Sequence, residues 1–103
     1  MTLFLKPWEP LYGDRAKYFE QELARELPEH HPLCSKRYTA LAKTEVSDDI
    51  LYCLDDGTYA QVHLTFTKGP PERPGWPGHQ AFEALADWMV GRMLADHTRK
   101  FGL

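Results

Sequence analysis

No apolar run in the 103 residues approaches the roughly 20 that a membrane-spanning helix requires. The start, Met1 to Pro7, also has no basic stretch leading into a long apolar one, so no secretory signal is expected and a cytoplasmic location is. Basic residues are too few and too scattered to form a stripe. Twelve Lys and Arg are interspersed with fifteen Asp and Glu for a net charge of −3, which argues against nucleic acid or an anionic membrane as partner. Cysteine is scarce. Cys34 and Cys53 lack CxxC spacing, and in a reducing compartment two thiols are expected rather than a disulfide staple. There is no Gly-x-Gly-x-x-Gly, no phosphate-binding loop and no Gly-x-Ser-x-Gly, so no cofactor is expected and no common nucleophile motif points to catalysis. Internal repeats and low-complexity tails are absent as well.

What the chain does have is 43% hydrophobic residues, enough for one packed domain spanning residues 1–103 without metal or disulfide support. Its organising stretch is Asp48 to Phe66. Ile50 to Leu54 is an unbroken apolar, aromatic and thiol run, and Ala60, Val62, Leu64 and Phe66 alternate with Gln61, His63 and Thr65. Period two means strand, and Asp55-Asp56-Gly57 between the runs supplies a tight turn. A two-residue turn and a three-residue loop with a glycine bulge compete, and one slip swaps every face. The three-residue loop aligns Ile50 and Tyr52 with Val62 and Ala60 on a core face. It sets Asp49 across from His63 and leaves Leu51, Cys53, Tyr59, Gln61 and His63 on the other face.

Around this hairpin, Leu3 to Leu5 reads as a short edge strand, and Pro7 and Pro10 confine the next residues to an irregular path. Ala16, Phe19, Leu23 and Leu27 recur at helical steps, with Asp14 as expected N-cap and Pro28 as the stop. Lys36 to Lys43 alternates as a third strand. Lys68 to Gly78, rich in Pro and Gly, is a long loop. Phe82, Leu85, Ala86, Met89 and Met93 then define a second amphipathic helix ending near Ala95, although His79 to Phe82 also reads as a brief fourth strand. The expected fold is α+β, a small antiparallel sheet of three to four strands with two amphipathic helices packed on one face.

Asp48-Asp49-Ile50-Leu51-Tyr52, Leu54, Asp56-Gly57, Tyr59-Ala60, Val62-His63-Leu64-Thr65 and Trp88 together resemble a family of short, uncharacterised bacterial proteins. The likeness spans Asp48 to Met93. Phe66 departs from it, standing where that family carries Trp. The resemblance implies the hairpin-and-helix fold and a bacterial cytosolic setting, and it transfers no catalytic residue.

Asp49 and His63 are the pair with a stated geometry. A carboxylate that fixes an imidazole recurs in acid–base and metal chemistry, yet an ordinary cross-strand pair, contributing about 0.2–1 kcal/mol, has the same composition. His30, His31 and Cys34, with His63 or His79, have donor types that suit zinc but not its spacing, so they read as an exposed polar connector and no metal is expected. Cys53 beside Tyr59 and His63 reads as a small apolar filler before it reads as a nucleophile. Asp48, Asp49, Asp55 and Asp56 are turn formers first. The leading expectation is a non-enzymatic protein-interaction module that binds an unknown protein partner through Tyr59, Gln61, His63 and Trp76. A homodimer through the sheet's outer face is a further expectation, because two helices on one side leave that face uncovered. The alternative is a small hydrolase or metal-dependent enzyme built on His63 and Asp49.

Overall fold

The computed structural model describes residues 4–66 and 77–102. The expected long loop therefore lies mostly outside the described residues, and Trp76 lies wholly outside them. Five strands form one antiparallel meander in chain order: β1 (Trp8–Pro10), β2 (Tyr38–Thr44), β3 (Asp49–Leu54), β4 (Tyr59–His63) and β5 (His79–Phe82). Helix α1 (Gly13–Glu26) joins β1 to β2. After β5 a continuous helical rod runs through α2 (Leu85–Trp88), one π-helical turn (Met89–Met93) and α3 (Leu94–Phe101). The α+β class is as expected from sequence, but the sheet has five strands where three to four were expected. The edge strand is Trp8–Pro10; of the expected Leu3 to Leu5 strand, Phe4 and Leu5 are not strand and Leu3 lies outside the described residues. Pro10 is tolerated at the edge because an edge strand has one side without a ladder.

The hairpin takes the three-residue register. Asp49 pairs with His63, Ile50 with Val62 and Tyr52 with Ala60, and the loop closes by Gly57 N–H donating to Leu54 O at 3.0 Å. Gly57 has φ +85°, where a Cβ is strained although nothing crowds it. Gly57→Ala is expected to cost about 1 kcal/mol, read as a lowered urea midpoint with an unchanged slope. Helix α1 opens through Gly13 at φ +54° and, contrary to the expected Asp14 cap, carries no side-chain cap bond. It ends at Leu27, which Pro28 forces into extended backbone at ψ 119°.

The helices do not share a face, which corrects the two-layer expectation. Ile50, Tyr52, Leu54, Ala60 and Val62 pack under Ala16, Phe19 and Leu23 of α1, whereas Leu51 and Ala42 pack with Trp8 under Trp88 and Met93 of the rod. The physical reason lies in β3. A strand apolar at every position from Ile50 to Leu54 has two sides to bury, and one helix covers each. The rod thus covers Leu51 and Gln61 of the outer face within the chain, while His63 on the same face stays exposed. A bulge in β2 between Ala40 and Ala42 assists, because it lets Ala40 face α1 while Ala42 faces the rod.

The rod also departs from its expected periodicity. It begins at Leu85, since Phe82 belongs to β5, and it runs to Phe101 rather than Ala95. Ala86 is exposed, as are Val90 and Leu94, while Trp88 and Met93 are fully covered. The π-helical turn, in which Leu94 N–H reaches Met89 O, inserts an extra residue and turns the buried stripe past the positions a 3.6-residue period assigns. On the other side of the sheet, buried Tyr52 donates its hydroxyl to Phe19 O at 2.7 Å, and burial holds that phenol far above its ordinary pKa. Tyr52→Phe is expected to lose about 1 kcal/mol by the same denaturation assay, because ring packing survives and only the hydrogen bond goes.

Candidate functional site

Facing strands β3 and β4 bring Asp49 and His63 together, as their register dictates. His63 Nδ1 lies 2.6 Å from Asp49 Oδ1. Because an ionised carboxylate only accepts, Nδ1 carries the proton and donates, leaving Nε2 as the acceptor nitrogen of a half-exposed ring. The other carboxylate oxygen is engaged too. Gln61 donates its amide to Asp49 Oδ2 at 2.9 Å, and the Trp88 indole N–H donates to Gln61 Oε1 at 2.8 Å. Gln61 is buried and Trp88 fully so. A hydrogen-bonded line therefore runs from the core of the rod, through the sheet, to the imidazole at the surface. Each member fixes the next, which is how a buried polar group specifies a single side-chain arrangement.

A shallow depression of about 160 Å³ opens beside His63. Asp49, Gln61 and His63 form its floor from β3 and β4. His79 and Gln80 of β5, with Gly78 just before it, line it on another side, and Arg92 reaches it from the π-helical turn. Arg92 Nε is buried and has no hydrogen-bond partner among the described residues. His79 stacks on His31 with ring centroids 4.8 Å apart; burial, then the neighbouring imidazole, push its pKa below the ordinary histidine value.

His31 itself overturns the reading of an exposed connector. It is 4% exposed, its Nδ1 accepts from Leu33 N–H at 3.1 Å, and its Nε2 therefore donates to Pro77 O at 2.9 Å. Its work is to tie the segment after α1 to the entry of β5, which lines the depression. Among the described residues no three His, Cys, Asp or Glu side chains are grouped to hold a metal. Cys34 is exposed and Cys53 half-buried, both as free thiols.

Of the residues the sequence suggested for binding, Gln61 and His63 line the depression. Tyr59 packs half-buried against the Trp88 cluster, opposite Phe82. Sequence reasoning missed Arg92 and Gln80. A lone arginine in a helix reads as a solvated residue, and only the π-helical turn at positions 89–93, invisible in composition, directs it here. Asp56, one of the four hairpin carboxylates, is engaged locally. Lys36 pairs with it at 2.7 Å and Thr58 N–H donates to it at 2.9 Å, and both hold its pKa well below the usual carboxylate range.

No family model, curated protein or solved structure matches this chain. Among the described residues no helix is long and apolar enough to cross a membrane.

Proposed function

We propose that the protein is a small non-enzymatic binding module that recognises a protein partner in the bacterial cytoplasm, through the depression beside His63. The observation that carries this reading is size. At about 160 Å³ the depression is well under the roughly 300–1,000 Å³ of sites that enclose a whole small molecule, so it accommodates one group projecting from a larger partner. The bacterial setting rests on the resemblance of the Asp48 to Met93 segment. The rigid line from Trp88 to His63 supports recognition as well, since a fixed donor array loses little entropy when a partner docks.

A second reading draws on the 2.6 Å Asp49–His63 bond alone, which suits a general base whose Nε2 is the acceptor nitrogen. Among the described residues none of the side chains lining the depression is a hydroxyl or a thiol, so such a base would act on water or on the substrate itself. The discriminating experiment is an NMR screen of the intact protein against peptides and metabolites, reading the His63, His79 and Gln80 signals. Ligands that move these signals and are recovered unchanged support the binding module. Turnover that disappears in His63→Ala overturns it in favour of the enzyme.

A further inference from the structure

A guanidinium nitrogen without a partner stands out beside two side chains that are fully paired. Asp49 uses both oxygens, on His63 and on Gln61, and Gln61 uses both ends of its amide, on Asp49 and on Trp88. Arg92 is different: its Nε is buried and unpartnered, and none of the ion pairs among the described residues includes it. A buried donor left without an acceptor is costly; Nε itself is closed to solvent, so an arriving acceptor meets the outer nitrogens of this half-buried side chain. Among the described residues the Arg92 guanidinium is in no ion pair, and the carboxylate that shares the depression is already committed to an imidazole. Placement in a π-helical turn fits a functional group, since such turns recur at sites where a helix is distorted to aim a side chain.

Resting on the reading of this depression as a binding site, we infer that the group it takes from the partner is an oxyanion, a carboxylate or a phosphate, held between the Arg92 guanidinium and His63 Nε2–H. Arginine presents donors in a planar fork that matches either oxyanion. His63 supplies the second donor only as imidazolium, because its Nδ1 proton is already given to Asp49. Binding is therefore coupled to proton uptake. Among the described residues the charged and titratable groups that line the depression with the ring are Asp49 from β3, His79 from β5 and Arg92 from the rod. Affinity consequently falls as pH rises and the imidazolium donor is lost.

The test is a side-chain NMR titration of the intact protein with acetate and with inorganic phosphate, using chloride as the ionic-strength control and acetamide as a neutral probe. Saturable shifts confined to the Arg92 guanidinium and the His63 ring are expected, with affinity weakening at higher pH. Arg92→Gln should reduce the affinity about tenfold or more, as loss of a charge-assisted contact does. His63→Gln keeps a donor and should flatten the pH dependence while leaving binding measurable. The acetate and phosphate arms identify which oxyanion the site prefers. Shifts that match those of chloride, or that persist unchanged in Arg92→Gln, overturn the inference. Saturation by acetamide as strong as by acetate overturns the anion while leaving the binding module standing, so the two readings fail separately.

Discussion

Trp88→Ala is expected to cost about 3–5 kcal/mol, a large share of the roughly 5–15 kcal/mol that stabilises a small domain. Trp88 has no exposed surface and meets two other rings edge-on, Trp8 at 4.9 Å and Phe4 at 5.8 Å between centroids. Truncation removes that area and leaves a cavity between rod and sheet that β-strand backbone cannot collapse to fill. Trp88→Phe separates packing from polarity. Most of the apolar contact remains, but Gln61 Oε1 loses its donor in a buried place, for about 1–3 kcal/mol. The same variant reports on the site, because an unanchored Gln61 no longer fixes Asp49. Urea unfolding gives the stability, and the His63 ring signals give the consequence at the surface. A Trp88→Phe variant whose midpoint and His63 titration both match the parent would show that the line from rod to imidazole does not act as one unit.

That line explains which parts of the molecule were legible in the chain. The hairpin register was readable because two signals agreed: the alternation of Ala60, Val62 and Leu64, and a Gly57 that the loop places at positive φ. Once the register was set, the Asp49–His63 pair followed from strand geometry alone. The opposite faces of the sheet were harder, although Ile50 to Leu54 carried the signal as a run apolar on both sides. The partners of the second face, Trp8, Ala42 and Trp88, are scattered over eighty residues, and none of them marks its face by local period. His31 and Arg92 were not legible at all as site elements. A histidine next to prolines reads as surface, and its burial depends on Pro77, forty-six residues away. Arg92 depends on a single turn of altered winding, which side-chain pattern does not encode. Glu26 was missed for a related reason, since it occupies a position in α1 that pattern alone assigns to the solvent.

Glu26→Ala is expected to cost about 3 kcal/mol, because Glu26 is the acceptor that ends the central hairpin. It is 5% exposed, yet one oxygen accepts Thr65 N–H at 2.7 Å and the Thr65 hydroxyl at 2.8 Å, while the other accepts Phe66 N–H at 2.9 Å. These bonds hold the chain where it leaves β4, and Phe66 stands there at φ +54°, a strained value for a bulky side chain. Removing the carboxylate takes the acceptor from two amides at a strained turn and leaves the strain unopposed. The effect carries a pH signature. Burial pushes the Glu26 pKa up, but Glu22 one turn earlier and the donors from Thr65 and Phe66 outweigh it and hold the carboxyl below its ordinary value. A carboxyl depressed in the folded state stabilises above its unfolded pKa, and that contribution fades as pH falls through the folded value. Glu22 has the opposite sign: burial chiefly raises its pKa, so its contribution is complete in acid and fades as pH rises through the raised value. Glu22→Gln should therefore remove the loss on the alkaline side of the pair and keep the loss in acid. Glu26→Ala should flatten the acid limb and lower stability at neutral pH. Urea midpoints measured across this range decide it: an acid limb of unchanged steepness in Glu26→Ala would place the titrating group elsewhere.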